Sequence, residues 1–312
     1  MPRRKIPYTK RALTYDEQIA NLRRHGVIIS DENKAKEILA DMGYYRLGFY
    51  LHPFEITYPC VDTSRSHNVR PGTRIEDVVA LYYFDLDMRN VLNRYLSRIE
   101  VAIRNTVIYE LSIKYVTDPN WFVNPSVVTA DFISQFPTAA YNSIKKNEVI
   151  RRHHKKYIGA YAPAWKTMEY MTLGNVEILY ASLLLDKDKK LVSNRFGEPA
   201  TATFKSYLSA VRELRNACAH GKTLFDLNLF TGIRSGKAGT FQGNQRHTFR
   251  EALCVVDYLV KNISANRAKD MWDDIFRVTR LLYSKAPVVR QLIEQRTGII
   301  VPQDGDSPSK SS

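Results

Sequence analysis

The 312-residue sequence predicts an all-α fold, and three observations carry that prediction. Apolar residues recur at spacings of three and four over long stretches, the period of a helix with one buried face. Thr14 to Glu17 and Thr73 to Glu76 have the spacing of capping boxes, in which each side chain satisfies a free amide at a helix start. Gly26, Gly43 and Gly221 stand where the periodicity stops, as expected of residues that end helices with a left-handed turn.

Taken in order, the first helix is expected from Thr14 to about Arg24 and the second from Asp31 to Met42. "GYYRLGFYLHPFE" then reads as an aromatic-rich connection, and residues 56–72, with their proline, serine and glycine, as a loop. The longest helical pattern starts at Thr73 and reaches about Tyr115. Its apolar face runs through Leu81, Phe84, Met88, Val91, Tyr95, Ile99 and Ala102, and its length suggests a bend or a split. Two prolines in "TDPNWFVNPS" end it, and residues 131–160 are mixed. "MEYMTLGNVEILYASLLL" resumes a helical pattern with Gly174 inside or between helices. Thr203 to Ala219 forms a helix whose buried stripe is Phe204, Tyr207, Leu208, Val211, Leu214 and Cys218. Residues 222–247 show no periodicity and suit a loop or short hairpin. Two helices follow, near 248–262 and 266–284, with a short one at 286–296.

Composition narrows the function. The chain carries 46 Lys+Arg against 32 Asp+Glu, a formal charge of +14, which favours a polyanionic partner such as nucleic acid. No run of eighteen apolar residues occurs, so no membrane-spanning helix is expected. "MPRRKIPYTKR" is basic without a following apolar region, unlike a secretory signal. The three cysteines, Cys60, Cys218 and Cys254, are too few and too scattered for a disulfide framework or a zinc site. A reducing, cytoplasmic setting is therefore expected. Walker, glycine-loop and nucleophile-elbow motifs are missing, so ATP hydrolysis and serine-hydrolase chemistry have no support.

"LRNACAH", residues 214–220, is the densest chemical signal. Arg215 is permanently charged, His220 exchanges a proton near neutral pH, and Asn216 adds an amide beside the arginine. On an unbroken helix Arg215 and His220 diverge by about 140°, so a bland reading makes His220 a C-terminal cap and Arg215 a surface residue. The functional reading has the helix end turn the imidazole toward the guanidinium. Glu100 and Arg104, four apart in "RIEVAIRN", are either a local ion pair or the support that positions Arg215. "RRHHKK" (Arg151, Arg152, His153, His154, Lys155 and Lys156) is a solvated basic surface or a phosphate-contacting one. Tandem histidines suggest metal, but no ligand partner stands at the right spacing beside them, and no metal is expected. Tyr44, Tyr45, Phe49 and Tyr50 either pack or stack on bases.

Four segments together resemble the Abi-like (abortive infection) family of the HEPN superfamily. They are the run from "IPYTKRALTYDEQ" through "DMGYYRLGFYLHPF", then "LYYFDLDMRNVLNRYLSRIEVAIRN", "PAWKTMEYMTLGNVEILYASL" and "LSAVRELRNACAHG". The last fits the HEPN pattern of arginine, a polar residue, three further residues and histidine. The resemblance implies a HEPN-type helical bundle with an N-terminal helical extension. Residues 1–72 would pack on a core at 73–300 that carries the motif; the last residues, "QDGDSPSKSS", are expected from their own composition to be disordered, a tail at 301–312. It also implies a metal-independent, cofactor-free endoribonuclease that acts as a homodimeric phage-defence toxin and is restrained by a structured noncoding RNA or a protein antitoxin. Arg215, Asn216 and His220 would be its catalytic residues, with Glu100, Arg104 and Arg212 in support and RNA as substrate. The alternative is a non-cleaving RNA-binding or scaffold protein of a defence system.

Overall fold

A computed structural model describes residues 7, 9–61 and 65–302. The expected tail falls outside the described residues from Gln303 onward. Among the described residues the regular elements are helical, and β pairing is confined to isolated bridges such as Ile28 with Arg74 and Glu55 with Val69. The all-α prediction holds. No described helix is long and apolar enough to cross a membrane.

The chain divides into two compact units. The first takes the residues up to Leu86, Val278–Gln295 and the residues from Ile300; the second takes Asp87–Arg277 and Arg296–Ile299. The division lies inside the longest helix.

In the first unit, α1 (Tyr15–Arg24) is opened by a true capping box: Thr14 accepts from the Glu17 amide at 3.3 Å, and the Glu17 carboxylate accepts from the Thr14 amide at 2.9 Å. Asp31 caps α2 (Glu32–Met42) by accepting from the Lys34 amide at 2.9 Å. The expected aromatic connection is itself a helix, α3 (Tyr44–Leu51), because Leu47, Tyr50 and Leu51 all turn inward and burial outweighs its poor helix formers. Tyr50 is buried and donates to Asp85 at 2.8 Å, which assigns it to packing. Tyr44 is half-buried and bonded to Asn21, whereas Tyr45 and Phe49 stay exposed. The long helix α4 (Ile75–Lys114) begins one residue later than the second capping box predicts. Thr73 donates to the Arg70 carbonyl instead, and the Asp77 carboxylate reaches back to the Arg74 amide at 3.4 Å.

The helix α4 is continuous over 40 residues, with no split. Its part within the second unit buries Met88, Leu92, Tyr95, Leu96, Ile99, Ile103, Val107 and Leu111. Ala102, expected in this stripe, is half-buried, since a 3.6-residue period carries the buried face from Ile99 to Ile103. Two Phe-rich turns of α5 (Ala130–Phe136) continue through a π turn at Pro137–Tyr141 into the short α6 (Asn142–Ile144). Then come α7 (Glu148–Lys156), α8 (Ala164–Thr167), α9 (Leu173–Ser182) and α10 (Asp186–Arg195). Their centre is α11 (Thr201–Ala219), which packs against α9, α10 and α12 (Phe249–Ile263). All six apolar residues expected in its stripe are buried. α13 (Ala265–Lys285) and α14 (Arg290–Thr297) complete the order.

Candidate active site

The helix α11 carries a polar stripe beside its buried one. Ser209, Arg212, Asn216 and His220 follow at steps of three and four, so they lie along one side of the cylinder. The helix ends in a Schellman motif. Gly221 takes φ +66°, its amide bonds the Cys218 carbonyl at 3.4 Å, and the Lys222 amide bonds the Ala217 carbonyl at 2.9 Å. From α4, Arg89 donates to the Lys222 carbonyl at 3.1 Å and pins this turn.

His220 precedes the turn rather than following it. Its amide still bonds the Asn216 carbonyl at 2.9 Å, as in regular helix, and the chain swings away only at Gly221. The about 140° between Arg215 and His220 therefore persists, and the turn does not fold the imidazole onto the guanidinium. Both residues are exposed, and the side chains of His220 and Asn216 make no hydrogen bond or ion pair among the described residues. Alanine at Gly221 would force a left-handed conformation on a residue with a Cβ. It is expected to destabilise the protein by about 1–2 kcal/mol, read as a lower urea midpoint; an unchanged midpoint would show that the cap does not stabilise this helix end.

Arg215 is tied to α4. The Glu100 carboxylate lies 3.7 Å from Arg215 Nε with one oxygen, and its other oxygen accepts from Arg104 at 2.9 Å. The sequence left two readings of Glu100 and Arg104 open, and the geometry unites them: the intrahelical pair also faces the motif helix. Arg104 is held from behind, since it donates to the Met171 carbonyl at 3.0 Å. Its Nε–H is buried without a hydrogen-bond partner among the described residues. The Arg215 side chain keeps 45 % of its exposure, against 10 % for Arg104. One cation is thus available to a ligand, and the other is structural.

Arg212 belongs to a second cluster. Glu177 of α9, largely buried, accepts from both Arg212 and Ser209. Sequence reasoning missed Glu177, although a lone carboxylate inside the apolar "NVEILY" was its available signal. It missed Arg89 as well, for which no local pattern speaks.

The basic cluster on α7 divides. Arg151, Arg152, Lys155 and Lys156 are exposed, and the first two pair with Glu148, Arg152 at 2.9 Å. His153 and His154 are half-buried. His154 Nε2 lies 2.6 Å from the Tyr141 hydroxyl, which in turn accepts from the Ala162 amide at 2.9 Å. Burial first, and then the nearby Lys166 and His154 side chains, push the His153 pKa down, favouring a neutral ring.

A family model described as Abi-like protein matches residues 37–226, more than half of the chain and all of the motif helix. No curated protein and no solved structure matches it.

Proposed function

The chain belongs to the Abi-like family, whose name denotes abortive infection and points to phage defence; from that premise we propose that it is a HEPN-type endoribonuclease. The observation that carries the reading is the Glu100 carboxylate shared by Arg104 and Arg215 across two helices. It sets a negative charge 3.7 Å from the exposed guanidinium of Arg215 near the end of α11, where His220 is exposed and Asn216 half-buried. Such a guanidinium stabilises charge that accumulates on phosphorus, and it does so best when it is fixed in advance.

In this mechanism one neutral His220 takes the proton from a ribose 2′-hydroxyl as that oxygen attacks the adjacent phosphorus. A protonated His220 from a second subunit gives a proton to the departing 5′-oxygen, and Arg215 stabilises the added charge in between. The products are a 2′,3′-cyclic phosphate and a 5′-hydroxyl. No redox partner or hydrolytic water enters this step. Asn216 supplies a donor and an acceptor for ribose or phosphate. As a toxin the enzyme needs restraint in its host, by a noncoding RNA or a protein antitoxin, and the +14 charge favours the RNA.

Incubating end-labelled RNA with the protein in excess EDTA tests the reading. Cleavage that persists and leaves cyclic phosphate ends supports it. RNA bound but left intact by the folded protein would favour the non-cleaving RNA-binding role. Affinity for a single strand is also expected to fall steeply with salt, with a log–log slope of several units at about 0.7 per phosphate contacted. Charge reversal at Lys155 and Lys156 should flatten that slope more than reversal at Arg151 and Arg152, which Glu148 already offsets in part. A slope that none of the four changes would remove α7 from the RNA path.

A further inference from the structure

Beyond the matched region, the irregular segment after α11 holds one aromatic ring away from the protein. Phe230 is 95 % exposed, while Leu229 before it and Ile233 after it are buried at 1 % and 0 %. The backbone around this ring is fixed. The Glu213 carboxylate accepts from the Phe230 amide at 2.6 Å and from the Thr231 amide at 3.1 Å. Leu229 N donates to the His247 carbonyl at 2.6 Å, Ile233 N donates to the Arg246 carbonyl at 2.9 Å, and Asn228 bridges to Thr248. A loop set by this many bonds and two buried anchors does not present a phenyl ring to water by default. A fully exposed phenylalanine forgoes about 1.5–3 kcal/mol of burial.

The anchor places the loop relative to the motif. Glu213 precedes His220 by seven residues on α11, and helical geometry persists through the His220 amide. Seven residues return to within about 20° of the same face and advance about 10 Å along the axis. Phe230 is therefore tethered to the side of α11 that presents His220, about two turns further from the helix end.

We propose that Phe230 is a base-stacking residue for the RNA substrate, holding a nucleobase that flanks the phosphate at His220. The inference rests on the ribonuclease reading and adds a substrate contact to it. An aromatic face suits any base, and a chain of charge +14 brings single-stranded RNA to its surface before stacking orders it. Phe230 thus acts on affinity and on the position of the strand, while His220 and Arg215 act on the reacting atoms.

The test is the anisotropy of a labelled single-stranded 2′-O-methyl oligonucleotide, which lacks the attacking hydroxyl and stays intact, titrated with wild type, Phe230→Ala and Phe230→Trp across a range of salt. Phe230→Ala should weaken binding roughly five- to a hundred-fold, the worth of one stacked base, and Phe230→Trp should restore it. The salt slope should stay unchanged in both, because stacking releases no counterions. Equal affinities of wild type and Phe230→Ala would overturn the inference and leave the ribonuclease reading standing. Loss of the dimer in Phe230→Ala without loss of RNA affinity would overturn it in favour of a subunit contact. Wild type that binds no RNA would overturn both.

Discussion

His220→Ala is expected to lower RNA cleavage by a factor of about 10³ or more, and Arg215→Ala by about 10²–10³, with little change in stability. The first figure is the usual worth of a positioned proton donor or acceptor, which the substitution would remove from both copies of the proposed shared site. The second is that of a fixed donor aimed at developing charge. Both side chains are exposed, and neither contributes to the buried stripe of α11, so their thermal midpoints should lie close to that of wild type. Glu100→Gln should cost less, about tenfold, because the amide can still accept from Arg104 while Arg215 loses the charge that holds it. In cells, growth arrest caused by the unrestrained wild type should disappear with His220→Ala and Arg215→Ala. Undiminished cleavage by well-folded His220→Ala would remove the nuclease assignment.

Helices with one apolar face and local caps were legible in the sequence. α1, α2 and α11 appear where periodicity and capping residues put them, because both signals are local. α3 was not legible as a helix, since aromatic residues and Gly48 score poorly in isolation and only the burial of Leu47 and Tyr50 decides the matter. α10, "DKDKKLVSNR", has too few apolar residues to show a face. The same limit applies to the candidate site. Arg215, Asn216 and His220 stand together in the chain and could be read there. Glu177, Arg89 and the Met171 carbonyl reach α11 or its support only through packing. The α7 cluster shows the opposite error of scale: a uniform basic run becomes four exposed cations and two half-buried histidines once one helix face packs.

Mixing wild type with a threefold excess of His220→Ala is expected to reduce activity far below the wild-type share. Cleavage by 2′-hydroxyl attack needs one group to remove a proton and another to supply one. A single chain offers one His220, which the intact helix geometry directs about 140° away from Arg215. Glu100 is poorly suited as the second group, because its carboxylate is already engaged by Arg104 and Arg215. In the proposed dimer a two-fold axis would solve both problems, since it would set a second His220 and a second Arg215 against the first pair. One histidine can then be neutral while the other is protonated. If subunits exchange freely, wild type at one part in four leaves about one dimer in sixteen with both histidines, so activity should approach one sixteenth rather than one quarter. Specific activity should also fall on dilution below the dimer dissociation constant. Activity that follows the wild-type fraction linearly, with exchange confirmed by mixed labels, would put the whole reaction in one chain and sink the shared site.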